Sequence, residues 1–323
     1  MKTRIAGLVG DIGGTNARLA LVDEDGHIRH PRTFAAADHG SLIEVVGHYL
    51  DAVAGGKVPP RAVLAVAGPV LDGEINFTNL DWRISEGELV GTFGFEVAKL
   101  VNDFAAQALA APALGAADLV LLGPDLKGAP DAPIVVLGAG TGFGVAGLAR
   151  SDTGEIALET EGGHASLAPN DATEDRLIAR LRVIHGRVSI ERVLSGQGLY
   201  DLYLTLAEGT APAHADEKAV MAAGLAQSDP LAVQTLDRFC AILGSVAGDL
   251  ALTFGARGGV YIAGGLAPRL KDHLMGQGFR ARFEAKGRMS DYVRDIPTRL
   301  MVHPYAALVG AARALALLGR LRL

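Results

Sequence analysis

One pattern constrains the fold of this chain more than any other, because it occurs twice. Residues 5–10 form an apolar run that reads as a buried strand, followed by Asp11-Ile12-Gly13-Gly14-Thr15-Asn16. Residues 18–22 read as a second strand and run into Asp25-Gly26, a hairpin turn. In the second half the plan returns: a strand over 134–137, the loop Gly138-Ala139-Gly140-Thr141-Gly142, a strand over 143–149, and the turn Asp152-Thr153-Gly154. A strand, glycine loop and strand in each half predict an internally duplicated α/β chain.

The intervening elements fit that class. Residues 62–67 and 97–101 read as strands, and Asn102-Asp103 stands where an N-cap belongs before an alanine-rich run to Ala111. Asn170-Asp171 with Glu174 predicts the capped start of a helix that ends near Gly186. Asp229-Pro230 opens a long helix through Phe254, with proline at the first helical position. Within it Leu243, Val246 and Leu250 make an apolar stripe, and the unfavourable Gly244 and Gly248 predict close packing against a neighbour. Gly258-Gly259 precedes a strand over 260–263 that ends in Gly264-Gly265, and residues 305–318 have helical periodicity. Pro59-Pro60 and residues 125–133 read as surface loops.

With 323 residues, the chain has room for two domains. Apolar residues are 49% and charged residues 20%, which excludes a disordered chain. A net charge of −6 offers no electrostatic footprint for nucleic acid or an anionic membrane, so neither is expected as a partner. The single cysteine, Cys240, cannot form an intramolecular disulfide and lies in an apolar helical pattern, where it reads as a small buried hydrophobe. Met1-Lys2-Thr3-Arg4 leads into a strand broken by Asp11, too soon for an export signal, and residues 306–318 are interrupted by Arg313 and too short to span a bilayer. The expected location is cytoplasmic.

Glycines at strand ends let backbone N–H groups approach an anion. Gly13 and Gly14 supply such a cradle and Thr15 adds a hydroxyl. Asp11 would repel a polyphosphate by itself, but suits a Mg²⁺ held through water between carboxylate and phosphate. A single loop of this kind is equally well explained as a hairpin turn; three glycine-rich strand ends favour nucleotide binding. Gly142, Gly144 and Gly147 match G-x-G-x-x-G, yet the residues that follow read as a strand and hairpin rather than the helix a dinucleotide site requires. No Walker A pattern is present.

Asn102-Asp103 is the pair expected to carry chemistry. Either residue explains itself as a helix cap; the functional reading makes Asp103 the acceptor of a proton from an attacking hydroxyl, with Asn102 fixing a neighbouring one. Glu161-Gly162-Gly163-His164 combines acceptors and donors that suit a polyol, though a lone Glu or His is usually a surface polar residue. Neither His164 nor His185 belongs to a Cys/His set at zinc spacing, and the other seven histidines, His27, His30 and His303 among them, show no pairing that suggests chemistry. Glu191 by itself reads as a solvated helix residue.

Taken in order, these segments resemble the bacterial glucokinase family, within the larger group of sugar kinases, actins and heat-shock chaperones. The resemblance rests on Leu8-Val9-Gly10-Asp11-Ile12-Gly13-Gly14-Thr15-Asn16-Ala17-Arg18-Leu19-Ala20, Val101-Asn102-Asp103-Phe104, Gly138-Ala139-Gly140-Thr141-Gly142, Glu161-Gly162-Gly163-His164, Glu191-Arg192-Val193-Leu194-Ser195-Gly196 and Ile262-Ala263-Gly264-Gly265. It implies a duplicated actin-like ATPase (ribonuclease H-like) α/β fold of two domains around a central cleft, a small one of residues 1–112 plus 302–323 and a large one of residues 113–301. It implies transfer of the γ-phosphoryl group of ATP to the 6-hydroxyl of glucose, with Mg²⁺ as cofactor, by a cytoplasmic homodimer.

By the same resemblance Asp103 is the catalytic base, and Asn102, Asp103, Glu161, His164 and Glu191 hold the sugar, with Asn79 in the same cleft. Gly10, Asp11, Ile12, Gly13, Gly14 and Thr15, with Gly140, Thr141 and Gly142, grip the phosphates, and Gly264 and Gly265 lie against the adenosine. The cysteine-rich zinc motif of repressor–kinase relatives is missing, and the first strand leaves no room for their DNA-binding helices. A kinase for fructose, mannose or an amino sugar, a non-catalytic sugar sensor, and an oxidoreductase built on Gly142, Gly144 and Gly147 are the competing readings.

Overall fold

Two eight-residue strands flank the first glycine pair and form an antiparallel hairpin, β1 (Ile5–Ile12) and β2 (Asn16–Asp23), with Asp11 directly across from Arg18. A turn with Gly26 at φ +85°, in the left-handed region that favours glycine, leads to β3 (Ile28–Ala35), antiparallel to β2. Next come β4 (Arg61–Val66), a small hairpin of β5 (Glu74–Asn76) and β6 (Arg83–Ser85), and β7 (Val97–Asn102). β4 and β7 join the sheet in parallel, giving the order β3-β2-β1-β4-β7. The computed structural model describes residues 4–77, 80–152 and 154–318, and the chain divides into two units, Met1–Leu114 with His303–Leu323 and Gly115–Val302.

The second unit repeats the plan. Its strands are β8 (Leu119–Leu121), β9 (Ile134–Ala139), β10 (Phe143–Ser151), β11 (Gly154–Thr160), β12 (Gly259–Ala263) and β13 (Thr298–Met301), ordered β11-β10-β9-β12-β13-β8. Two antiparallel pairings followed by two parallel ones match the first sheet strand for strand, with β8 added antiparallel at the edge. The duplication in the sequence is therefore a duplication of topology. β10 runs into β11 as an antiparallel hairpin, so no helix follows Gly142, Gly144 and Gly147, and the G-x-G-x-x-G match has no dinucleotide-binding context. Thr153 of that turn lies outside the described residues.

Alternation along β4 sends Leu64 to one face of the first sheet and Ala65 to the other. Leu64 joins Leu8, Leu19 and the Leu42, Val46 and Tyr49 side chains of the Leu42–Ala54 helix in one fully buried cluster. Each such large apolar side chain contributes on the order of 1.5–3 kcal/mol. Ala65 packs with Ala106 and Ala307, from the Asp103–Ala110 and Ala306–Leu318 helices. These two helices touch backbone to backbone, since a Cβ on Gly310 would sit 1.7 Å from the Ala106 carbonyl oxygen.

In the second unit the Pro230–Phe254 helix has the ends its sequence predicts: Asp229 caps it by accepting from the Leu231 N–H, Pro230 is its first residue, and Gly255 ends it in the left-handed conformation. Leu243 and Val246 are buried and Leu250 is half-buried against the core. Gly244 and Gly248 do mark a close approach. A Cβ on Gly244 would lie 2.1 Å from the Phe279 carbonyl oxygen and one on Gly248 2.5 Å from that of Phe283, both in the Gln277–Glu284 helix. Cys240 is buried in this core, and burial pushes its thiol pKa up, which leaves it inert. Among the described residues no helix is long and apolar enough to cross a membrane.

Candidate active site

In the first unit the predicted residues gather at one edge of the sheet. Ile12 of β1, Val66 of β4 and Asn102 of β7 are register partners, so the chain leaves β1 for Gly13 and β7 for Asp103 at the same end of the sheet, with β4 between them and the two strand ends about 10 Å apart. Asn102 builds the turn into the helix. Its Oδ1 accepts from the Phe104 and Ala105 N–H groups at 2.9 and 3.2 Å, and its Nδ2 donates to the Gly68 carbonyl at 3.2 Å. The half-buried Asp103 is the first helical residue, with Oδ1 accepting from the Phe104 N–H at 2.9 Å. The cap reading of Asn102 is thus met, and the cap holds the Asp103 carboxylate at the strand end.

Asp11 sits before the loop. Burial raises its carboxyl pKa, and the Arg18 guanidinium, 2.9 Å from Oδ2 across the hairpin, opposes that shift. A hard carboxylate oxygen beside a glycine turn fits Mg²⁺, directly or through water. Thr15 is tied from behind, its carbonyl accepting from the Ala36 N–H at 2.9 Å.

The second unit assembles the remaining residues around the other glycine loop. Glu191, in a short helix (Ile190–Val193) capped by Ser189, accepts the Phe143 N–H at 2.9 Å through Oε2. His164 ends a turn begun at Glu161, and its ring nitrogens lie 3.8 Å from Glu161 Oε2 and 4.0 Å from Glu191 Oε1. Thr160 supports this turn by donating to the Val145 carbonyl and accepting the Gly162 N–H. Glu161 and His164 are more than half exposed, whereas Glu191 is only 31% exposed. The expectation of a solvated Glu191 is therefore corrected: its carboxylate closes the glycine loop, a long-range bond no local pattern reveals.

The glycines divide by what surrounds them. Gly10 and Gly138 have packing reasons, since a Cβ on Gly138 would lie 2.0 Å from the Ala263 carbonyl oxygen. Gly13, Gly140 and Gly265 do not: the nearest atoms are at 3.7 and 3.9 Å for the first two, and none lies within 4 Å for the third. Open space at these positions admits an approaching phosphate, while the Gly13 and Gly140 N–H groups bond within their own loops to the Asn16 and Gly142 carbonyls at 2.9 and 2.8 Å. Gly264, at φ +82°, and the Leu266 N–H bond to the Ala139 carbonyl bring the end of β12 beside the loop. Thr141 lies at the exposed tip of that loop. Asn79 lies outside the described residues.

Arg18, Gly68 and Thr160 were missed from the sequence. Only Arg18 carried a signal there, as the residue facing Asp11 in the predicted hairpin. Several of the other histidines have partners that the sequence did not reveal: His27 lies 3.5 Å from Asp23, His214 is 2.9 Å from Asp229, His273 is 2.7 Å from Asp237, and the His39 and His48 rings meet edge to face.

A family model described as Glucokinase matches residues 8–318. A glucokinase of Caulobacter sp. (strain K31) is 51% identical over 319 residues, covering 97% of this chain and 96% of its own. The crystal structure of a glucokinase from an Antarctic psychrotroph shares 41% identity with a TM-score of 0.86, covering 96% of this chain and 98% of that one. A ROK family glucokinase from Streptomyces griseus, crystallised with glucose and AMPPNP, has a TM-score of 0.64 at 20% identity, over 95% and 98% of the two chains, a likeness of fold.

Proposed function

This chain belongs to the glucokinase family, and from that premise we propose that Asp103 is the base of its phosphoryl transfer. Its fold is the duplicated actin-like ATPase fold and its activity is that of an ATP-dependent hexose kinase acting on glucose. In the proposed reaction the glucose 6-hydroxyl gives its proton to the Asp103 carboxylate as its oxygen bonds to the γ-phosphorus of ATP. The bond from that phosphorus to the β,γ-bridging oxygen breaks, and ADP and glucose 6-phosphate leave. Little covalent work falls to the protein in such a transfer, which depends on positioning and charge.

Asn102 fixes Asp103 through the helix cap and holds a sugar hydroxyl, while Glu161, His164 and Glu191 take others, and Asn79 joins them. Gly10 to Thr15 and Gly140 to Gly142 grip the phosphates, the Gly13 and Gly140 N–H groups holding the loops closed on the Asn16 and Gly142 carbonyls, and Gly264 and Gly265 face the adenosine. Mg²⁺, with Asp11 as its carboxylate partner, neutralises charge on the phosphates when bound. A homodimer in the cytoplasm completes this reading.

The observation that supports it most directly is the register of Ile12, Val66 and Asn102, which sets a bare glycine turn and a capped carboxylate on one sheet edge, where α/β folds bind ligands. The test is ADP formation with Mg²⁺-ATP and a panel of hexoses. Turnover of glucose that is lost in a folded Asp103→Asn variant supports the proposal, and faster turnover of fructose, mannose or an amino sugar reassigns the substrate.

A further inference from the structure

The start of the Leu42–Ala54 helix carries a second cluster of donors. Ser41 caps the helix by accepting the Glu44 N–H at 3.2 Å. Glu44 folds back, and its Oε2 accepts the Gly40 N–H at 2.8 Å. Its other oxygen, Oε1, lies 3.6 Å from Nδ1 of His39. His48 stands one helical turn beyond Glu44, on the same face, and its ring meets that of His39 edge to face at 5.3 Å. One ligand atom from each of the three lies within 4.8 Å of the others.

A cap explains Ser41 and Glu44, and Glu44 faces His39 at ion-pair distance without giving its ring nitrogen a full hydrogen bond. The His39 side chain is only 11% exposed, and Nδ1 is buried without a hydrogen-bond partner among the described residues. Its nearest acceptor, Glu44 Oε1, stands at ion-pair rather than hydrogen-bond distance, and an ion or water drawn between the two accounts for such a buried nitrogen. The other three-residue cluster, Asp23, Asp25 and His27, lacks this feature. There Asp23 already accepts the Asp25 and His27 N–H groups and the Arg29 guanidinium.

We propose that His39, Glu44 and His48 bind one divalent transition-metal ion of the zinc class, with water in the remaining position. Two imidazoles and a carboxylate are a zinc donor set, and imidazole selects against Mg²⁺, so this ion is distinct from the one that accompanies ATP. The Gly40 N–H orients the carboxylate as an outer-shell partner does in metal sites. Small rotations of the two rings bring the three atoms to the roughly 3.3 Å mutual spacing of tetrahedral ligands near 2 Å from the ion. The ion clips residues 36–41 to the helix, three residues from Ala36, whose N–H holds the Thr15 carbonyl.

The test uses the full chain stripped with a chelator. Zn²⁺ binding is followed by calorimetry, Co²⁺ binding by its visible absorption, and melting is recorded with and without Zn²⁺. His48→Gln is the main variant because His48 is exposed and outside the hydrophobic core; Glu44→Gln, which retains an acceptor for Gly40, is the second. The proposal expects one Zn²⁺ per chain, a rise in Tm on loading, a Co²⁺ spectrum of low coordination number, and at least a tenfold loss of affinity in each folded variant. Absence of Zn²⁺ binding by the wild-type chain, or equal affinity in wild type and His48→Gln, overturns it.

Discussion

Three alanine substitutions in the second glycine loop separate fold from function. A Cβ on Gly142 would lie 2.5 Å from Glu191 Oε2, so the carboxylate must retreat by roughly 1 Å to reach ordinary contact. That retreat breaks its 2.9 Å bond with the Phe143 N–H. A hydrogen bond to a charged group contributes about 1.5–3 kcal/mol. Since Glu191 is 31% exposed, water partly replaces the loss, and Gly142→Ala is expected to cost about 1 kcal/mol, or a Tm drop of ~2–4 °C. If Glu191 holds a sugar hydroxyl, losing that interaction lowers kcat/KM for glucose by about 10- to 150-fold.

Gly138→Ala behaves differently, because its Cβ would meet the Ala263 backbone at 2.0 Å inside the β9–β12 ladder. Backbone cannot swing aside as a carboxylate can, and overpacking of ~3 kcal/mol or more, with a Tm drop of ~6–12 °C, is expected. Gly140→Ala has 3.9 Å of clearance to Gly265 N; it should leave Tm within a few degrees and raise KM for ATP by ~10-fold or more. Coupled ADP assays with glucose and ATP varied in turn, beside thermal melts, read out all three. Wild-type KM values for ATP in Gly140→Ala and for glucose in Gly142→Ala would refute the assignment of this loop.

Two further outcomes follow from the first unit. Arg18→Met leaves the burial of Asp11 unopposed, so its already raised pKa climbs further and the acid limb of kcat/KM for Mg²⁺-ATP moves to higher pH. Because a raised carboxyl pKa favours the protonated fold, the stability deficit of that variant should be small at acid pH and grow as pH rises through the folded pKa, which urea melts across pH measure. Gly310→Ala drives a methyl into the Ala106 carbonyl, 1.7 Å away, and should lower stability by ~3 kcal/mol or more while shifting the helix that begins at Asp103; a melt and a kcat measurement on the folded fraction check it.

Much of this architecture was legible because it rests on local chemistry. Proline after Asp229 and glycine after Phe254 bound the long helix, and Gly244 and Gly248 announced the helix packed against it. The two hairpins declared the duplication, and the sheet orders repeat it. What escaped the sequence was long-range. Nothing near Glu191 signals that it reaches Phe143, 48 positions away. Nor does spacing tell Gly138, needed for strand packing, from Gly140, bare for another reason. Asn102 was equally readable as cap or ligand holder; its bonds to Phe104, Ala105 and Gly68 make the first of these a fact of the fold.

The most direct test of the central claim is kcat for glucose phosphorylation by Asp103→Asn. The substitution preserves shape and the acceptor for the Phe104 N–H, so the protein should fold with a Tm near that of the wild type. A base in the transition state contributes about 10²–10⁴-fold, and a loss of that size with little change in KM for ATP is the expected result. A folded Asp103→Asn variant that keeps kcat within a few-fold of wild type would contradict it.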